Sequence, residues 1–232
     1  RLIIFDAAEG NKKGQVEYQY LTELQSHIKE FDYLKSAEIE ERINQIQWMR
    51  PQGQNLYILT TNDKTVKAWK ISEKKMKKAN FLNKNEKDLK FPQMQVSETG
   101  LMPTLLRSYP HLHSYHINSL SVCSNGENFL SGDDLRINVW TLDSTNEAYN
   151  VVDLKPDNLD EISEVITSAK FHPINNNLFL YSTSRGVVKV GDLRKGANCE
   201  STAQTLEVKE SSASKNFFTD IIISICDACF SA

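Results

Sequence analysis

Three histidines close together, His111, His113 and His116, are the residues of this sequence best suited by type to metal chemistry. Imidazole nitrogens are common zinc ligands. Their spacing does not give the i, i+4 pair of a helical zinc site, and the segment leads directly into a strand-like pattern. We therefore favour structural or surface roles for them over a metal site, and the sequence predicts no metal or other cofactor.

Two of the four cysteines, Cys226 and Cys229, form a CxxC motif. In a strand, residues i and i+3 point to opposite faces, and no second pair of ligands lies nearby in the sequence. We interpret both as buried small apolar residues, with a metal or redox role as the less favoured alternative. So few cysteines in 232 residues are typical of reducing compartments. We expect the protein in the cytoplasm, with the nucleus as a further location.

Carboxylates are concentrated in residues 153–164, where five acidic side chains stand against Lys155: Asp153, Asp157, Asp160, Glu161 and Glu164. A smaller group lies at Glu38, Glu40 and Glu41. Patches of this kind attract lysines and arginines of another protein. Asp134 is a further candidate, although an aspartate in a turn most often caps its own backbone. The sequence thus offers surfaces for binding basic segments.

No motif of an enzyme accompanies these patches. The chain has no GxSxG elbow, HExxH pair or glycine-rich phosphate loop. A net charge of −3 gives no overall attraction to nucleic acid or to an anionic membrane, and no apolar run approaches the roughly 18 residues that span a bilayer. We expect a non-catalytic protein that binds neither nucleic acid nor membrane.

The elements that must position these residues are repeated. Each repeat begins with a short alternating segment and ends with a polar turn followed by another strand-like segment. The beginnings lie at residues 43–48, 117–122 and 166–171, with a fourth at 225–230. The endings, two of which reach a tryptophan, lie at residues 62–69, 133–140 and 184–191. This pattern is typical of WD repeats, whose four-stranded blades stack around an axis.

We therefore predict an all-β protein, a partial WD40-type β-propeller spanning residues 1–232. Whole blades are expected at about residues 43–71, 117–142 and 166–193. Residues 1–6 should end a preceding blade and residues 221–230 should begin a further one, so we expect the sequence to be part of a longer protein. Residues 72–112 exceed the usual repeat of about 40–45 residues, and are either a partner-binding arm or a solvated loop.

Several strings make a more specific likeness. Residues 30–36 (EFDYLKS), 114–119 (SYHINS), 133–138 (DDLRIN) and 150–156 (NVVDLKP) closely resemble the B-type, WD-repeat regulatory subunits of protein phosphatase 2A. The matching strings follow the family order from about residue 1 to residue 225. A departure from the family is Gly191, which stands where a larger residue is usual.

The resemblance implies a seven-bladed propeller that binds the scaffold (A) subunit and recruits phosphoproteins to the catalytic (C) subunit. Substrates with basic residues near the phosphosite would enter an acidic groove. The positions matching that groove are Tyr115, His116, Asp134, Leu135, Ile162, Phe217 and Phe218. The inserted arm would touch the scaffold subunit through Leu101, Met102, Leu105 and Leu106. The alternatives are a generic WD-repeat interaction scaffold unconnected with a phosphatase and, less favoured, an enzyme built on a propeller.

Overall fold

The computed structural model describes residues 1–10, 14–33, 35–80, 93–109, 112–207 and 223–231. Within these ranges the chain is all-β, and its one helix is a single 3-10 turn at Leu159–Glu161. No helix in the same ranges has the length and apolar character needed to cross a bilayer.

The chain opens with two antiparallel hairpins. In the first, β1 (Leu2–Glu9) pairs with β2 (Val16–Leu24) from Leu2 opposite Leu24 outward. In the second, β3 (Glu30–Asp32) pairs with β4 (Ala37–Ile39). The predicted blade end at residues 1–6 therefore lies within β1, which has β2 as its neighbour.

Three four-stranded antiparallel sheets follow, each with its strands in sequence order. The first consists of β5 (Gln45–Trp48), β6 (Leu56–Thr61), β7 (Val66–Asn80) and β8 (Gln93–Tyr109). The second consists of β9 (Ser119–Val122), β10 (Asn128–Gly132), β11 (Arg136–Thr141) and β12 (Ala148–Asp153). The third consists of β13 (Ile166–Phe171), β14 (Leu178–Thr183), β15 (Val187–Asp192) and β16 (Gln204–Glu207).

The blade ranges predicted from sequence contain the first three strands of the second and third sheets, whereas in the first sheet β7 runs on to Asn80, beyond the range 43–71. The repeated ending falls in the third strand, β7, β11 or β15, rather than in the fourth, which follows the predicted range. The predicted start of a further blade is only partly described, because residues 221–222 lie outside the described ranges. Residues 224–231 form no strand, but Asp227 accepts hydrogen bonds from Ser168 Oγ and Lys170 Nζ at 2.6 and 2.5 Å.

The segment at 72–112 continues the first sheet. Strands β7 and β8 stay paired from Val66 opposite Tyr109 out to Asn80 opposite Gln93, so the segment forms a long two-stranded arm, with residues 81–92 outside the described ranges. Irregular pairing between Ala68 and Trp69 bends the ladder near its base.

Apolar side chains fill the spaces between successive sheets. One cluster joins the β1–β2 hairpin to the first sheet through Ile4, Leu24, Ile58 and Ile71. A second cluster, around Phe129 and Trp140, joins the first sheet to the second. The third, around Ile137, Phe171 and Phe179, joins the second sheet to the third. Burial of these faces by a neighbour is the reason the sheets stack.

The first strands of the sheets lie side by side, with β9 contacting both β5 and β13. Serine hydroxyls of β9 bridge this contact, because Ser119 Oγ and Ser121 Oγ accept the backbone N–H groups of Ala169 and Phe171 at 3.1 and 3.0 Å. Stacked four-stranded sheets whose first strands adjoin are the arrangement of a β-propeller, of which these residues form part.

Candidate binding face

The turns between the second and third strands of the first two sheets share one design. Asn62 Oδ1 accepts the backbone N–H groups of Lys64 and Thr65 at 3.0 and 2.8 Å. Asp133 Oδ1 does the same for Leu135 and Arg136 at 2.8 and 2.7 Å. Asp133 is thus the residue that closes this turn, since its carboxylate accepts the N–H groups of its own turn.

The next residue of each turn joins one sheet to the following one. The carbonyl of Asp63 accepts the N–H of Ile117 at 3.1 Å, and that of Asp134 accepts the N–H of Ile166 at 2.7 Å. A side-chain bond repeats as well, because Asn118 Nδ2 lies 3.4 Å from Asp134 Oδ1. Asp134 therefore stands at a junction between two sheets, at the end where the turns gather.

The carboxyl group of Asp134 is half-buried. Burial raises the pKa of this carboxyl, and the neighbouring charge of Asp133 raises it further, while the Asn118 amide and His116 act in the opposite direction. The negative charge of the ionised Asp134 carboxylate is thus only partly balanced by the groups around it. A lysine or arginine brought to this position would supply the missing positive charge.

Tyr115 and His116 reach the same face from the segment before β9. His116 is exposed, and its Nδ1 lies 3.2 Å from Asp63 Oδ1. Tyr115 is half-buried, with Lys35 Nζ 5.4 Å from the centre of its ring. Because His116 also acts electrostatically on Asp134, the structure brings these predicted residues into one neighbourhood.

The other predicted groove residues differ in their surroundings. Ile162 is 37% exposed and follows the Leu159–Glu161 turn, so its side chain is available to a partner. Leu135 is only 1% exposed, which does not fit the expected role of an apolar surface contact. The loop after β12 adjoins its main chain, since the Leu154 N–H donates to the Leu135 carbonyl at 2.8 Å. Phe217 and Phe218 lie outside the described residues.

The predicted acidic segment borders a cavity of about 270 Å³. Two carboxylates of the cavity wall form salt bridges. Asp153 pairs with Arg136 at 2.9 Å, and Glu164 pairs with Lys189 at 3.1 Å. The remaining acidic side chains in the wall are Glu161 and Glu200. The complete wall consists of Asp153, Leu154, Lys155, Pro156, Glu161, Ser163, Glu164 and Glu200. A cavity of this charge suits a cationic side chain better than an anion.

A serine, a histidine and an aspartate also lie in hydrogen-bonding sequence, an arrangement that sequence reasoning missed. His113 Nδ1 is 3.0 Å from Asp133 Oδ2, and His113 Nε2 is 2.6 Å from Ser131 Oγ. Trp140 Nε1 donates to the same Ser131 oxygen at 2.8 Å. The Ser131 hydroxyl proton is therefore directed to His113, whose other nitrogen donates to Asp133.

This Ser131 network is structural. Ser131 and Asp133 are fully buried and His113 is 4% exposed, so no substrate reaches the hydroxyl. Burial would raise the pKa of Asp133, but the bonds from His113 and from the backbone N–H groups of Leu135 and Arg136 lower it overall. His113 thus serves to hold Ser131 and Asp133 together within the second sheet. His111 lies outside the described residues, and no group of three metal-ligating side chains occurs within them.

The first sheet has a variant of this network. Trp69 Nε1 donates to Thr60 Oγ1 at 3.0 Å, Thr60 Oγ1 and Ser26 Oγ are 2.6 Å apart, and Ser26 Oγ is 2.9 Å from His27 Nδ1. His27 Nε2 lies 3.1 Å from the carbonyl of Thr65, which can only accept. His27 is therefore neutral with its proton on Nε2, and each hydroxyl donates toward the ring.

The predicted arm residues lie on β8, near the base of the arm. Met102, Leu105 and Leu106 are each more than two-fifths exposed, and Leu105 and Leu106 both face outward because the pairing is irregular at this point. Leu101 packs instead against the cluster that joins the arm to the β1–β2 hairpin. Three of the four predicted side chains are thus exposed apolar residues on β8.

The cysteines differ from the prediction at one site. All four are free, and Cys123 and Cys199 are buried. Cys226 and Cys229 are exposed, so their interpretation as buried apolar residues is wrong for the structure as described. The reason is that residues 224–231 form no strand in a covered sheet.

Several known proteins share much of this sequence, although no family model matches it. The chain is 45% identical over 242 residues to a B-type regulatory subunit of protein phosphatase PP2A from Candida tropicalis, with 100% of the chain and 48% of that protein covered. It is 42% identical over 240 residues to the 55 kDa regulatory subunit of protein phosphatase PP2A from Drosophila melanogaster, with 98% of the chain and 48% of that protein covered.

A plant protein with a similar description also matches the chain. The beta isoform of the 55 kDa B-type regulatory subunit of serine/threonine protein phosphatase 2A from Arabidopsis thaliana is 43% identical over 251 residues, covering 93% of the chain and 50% of that protein. The chain thus spans about half the length of the curated relatives it matches. Among solved structures, U3-55K has a TM-score of 0.41 at 14% identity, covering 70% of this chain and 42% of that one.

Proposed function

Because the chain belongs to the B-type regulatory subunits of protein phosphatase 2A, we propose that it is part of a non-catalytic subunit that binds the scaffold subunit and recruits phosphoproteins to the catalytic subunit. The observation that carries this proposal is the identity of 42–45% with named regulatory subunits over nearly the whole chain. A cytoplasmic and nuclear location goes with it.

The face around Asp134 receives the substrate in this proposal. Its incompletely compensated carboxyl group accepts a lysine or arginine, and the cavity beside Glu161 and Glu200 attracts further positive charge. Exposed Ile162 offers an apolar contact between the two. A segment with basic and apolar residues near its phosphosite fits this combination, and holding it there raises its concentration near the catalytic subunit.

The β7–β8 arm contacts the scaffold subunit. Its support is the exposure of three apolar side chains, Met102, Leu105 and Leu106. The same hairpin packs through Leu101 against the cluster beside β1 and β2. Patches of large apolar side chains on a projecting element are common at protein interfaces.

Co-purification tests the main proposal. The whole protein, tagged and expressed in cells, should bring down the scaffold and catalytic subunits of the phosphatase, and alone it should release no phosphate from p-nitrophenyl phosphate. Recovery of other proteins without either phosphatase subunit would favour a generic WD-repeat scaffold.

The arm is tested separately by the double change Met102→Asp and Leu105→Asp. We expect loss of the scaffold subunit from the purified complex with retention of peptide binding at the Asp134 face. The matched control is Leu206→Asp, since Leu206 is also an exposed apolar residue on the fourth strand of a sheet. Equal loss in both variants would contradict a specific role for the arm.

A further inference from the structure

Lys64 is a buried lysine, and its turn is closed through its backbone N–H rather than through its charged side chain. Only 8% of Lys64 is exposed. Its ammonium donates to main-chain carbonyls of the following sheet, that of Ser114 at 2.6 Å and that of His113 at 3.3 Å. Enclosing an ammonium group costs free energy, and both burial and the nearby Lys35 lower the pKa of Lys64.

The repeat supplies an internal comparison for this position. Leu135 follows Asp133 and Asp134 in its turn as Lys64 follows Asn62 and Asp63, with the same backbone bond to the turn residue. Leu135 is 1% exposed. An apolar side chain therefore satisfies the folding requirement of this position, and the positive charge of Lys64 needs a separate explanation.

The segment to which Lys64 donates hydrogen bonds also carries Tyr115 and His116. At its start, the His113 ring is fixed by Ser131 and Asp133. At its end, the N–H of Ile117 donates to the Asp63 carbonyl at 3.1 Å. Lys64 holds the middle of the segment, and Lys35 donates to the same Ser114 carbonyl.

We propose that Lys64 is a positioning residue, which holds the main chain at Ser114 so that Tyr115 and His116 stand at the binding face beside Asp134. The expected effect on binding rests on the proposed function, but the hydrogen bonds from Lys64 to the His113 and Ser114 carbonyls do not depend on that function. Without the two carbonyl bonds, the main chain at Ser114 keeps only the bond from the exposed Lys35 between the two tied ends of the segment. Ordering residues 114–116 on binding then lowers the affinity for a peptide.

The experiment compares Lys64→Leu with Lys67→Leu in the whole protein. The first change copies the residue found at the equivalent position, so the variant should fold. The second is a matched control, because Lys67 Nζ also donates to a carbonyl, that of Ser26 at 3.1 Å, but on a segment without binding-face residues. Two quantities are measured: amide hydrogen exchange of residues 114–116, and the Kd of a fluorescein-labelled peptide rich in lysine and leucine.

For Lys64→Leu we expect faster exchange at residues 114–116 and a Kd raised about fivefold, with exchange elsewhere unchanged. Lys67→Leu should leave both quantities as in the parent protein. Unchanged exchange at 114–116 in Lys64→Leu would overturn the inference, as would an equal rise of Kd in the control. Asp134→Asn is the third arm: if it leaves the Kd unchanged, the proposed binding face is wrong, whereas the exchange data still decide the role of Lys64.

Discussion

Asp63 and Asp134 occupy equivalent positions in successive sheets, and each joins its sheet to the next through its main-chain carbonyl. Their carboxylates differ. That of Asp63 contacts Asn44 at 2.8 Å and His116 at 3.2 Å, whereas that of Asp134 has the weaker contact with Asn118 at 3.4 Å. The same main-chain hydrogen bond thus joins successive sheets at both positions. The Asp134 carboxylate has fewer close contacts than that of Asp63, and so it can accept a hydrogen bond from an incoming cation.

Replacing Asp134 by asparagine should separate binding from stability. The pKa of the Asp134 carboxyl is raised, chiefly by burial, so ionisation of this group is less favourable in the folded protein than in the unfolded chain. We expect Asp134→Asn to unfold at the same urea concentration as the parent or a higher one, and to bind a lysine-rich peptide about tenfold more weakly, as loss of one close charge pair implies.

The control for this prediction is Asp143→Asn, which removes the same charge from an exposed site paired with Arg107 at 3.4 Å. It should leave peptide affinity unchanged at moderate salt, because distant surface charges are screened. Equal weakening in both variants would mean that overall charge, rather than the Asp134 site, attracts the peptide.

Ser131→Ala should destabilise the second sheet strongly. Its hydroxyl joins Trp140 to His113. Removing it leaves the buried Trp140 indole nitrogen without a partner, and leaves His113 Nε2 with only the longer contact to Asn138 Nδ2 at 3.4 Å. We expect a loss of about 2–4 kcal/mol in the free energy of unfolding, measured by urea denaturation. Ser124→Ala, at a less buried serine that donates to the Ile174 carbonyl, should cost less than about 1 kcal/mol. A fluorophosphonate probe should not label Ser131, and labelling would contradict its burial.

The four-stranded blades of a propeller could be predicted from sequence, but the position of each fourth strand could not. The repeated starts near residues 43, 117 and 166 and the endings at Trp69 and Trp140 mark the first and third strands. The fourth strands carry no such signal. β16 is exposed at all four residues, and β8 is recognisable only through its pairing with β7.

In the binding face too, some contacts could be predicted from sequence and others could not. The turn role of Asp133 is local, since the N–H groups that it accepts lie two and three residues ahead, and local bonds can be inferred from sequence. The burial of Leu135 and the bond of His113 to Ser131 both depend on how distant parts of the chain fold together. A buried histidine before a first strand, with a serine in the second strand, is the signal that could have identified this network.

Acid should weaken the first sheet through His27. The pKa of His27 is lowered from 6.5 to about 4, first by burial and then by the charge of Lys67, with the bond to the Thr65 carbonyl opposing. Between these values the unfolded chain binds more protons than the folded one, so the free energy of unfolding falls as pH decreases from about 6.5 to about 4. Urea denaturation at several pH values measures the slope.

His27→Gln is the variant that isolates this effect, because glutamine can donate and accept but does not titrate. Its stability should be lower at pH 7 and flatter through the same window. Asp133 acts in a different range, since its pKa is lowered below the ordinary 3.8 and its contribution is lost only as pH falls further. An unchanged slope in His27→Gln would assign the acid sensitivity to another group.

Gly191 is the counterpart of Trp69 and Trp140 in the third sheet, and the Phe179 ring lies directly against it. A Cβ atom at Gly191 would lie 2.5 Å from Cζ of Phe179, a side chain that is fully buried in the cluster between the second and third sheets. The position of the Phe179 ring therefore leaves no room for a side chain at residue 191.

We expect Gly191→Ala to lower the free energy of unfolding by about 1–3 kcal/mol, because the enclosed ring cannot move without strain. Gly196→Ala is the matched control, since a Cβ atom there meets nothing closer than Asn198 O at 3.5 Å. If Phe179→Leu is introduced as well, the added methyl group gains room, and the cost of Gly191→Ala should shrink. A double-mutant cycle measures that coupling, and additive effects would show that the ring does not explain the glycine.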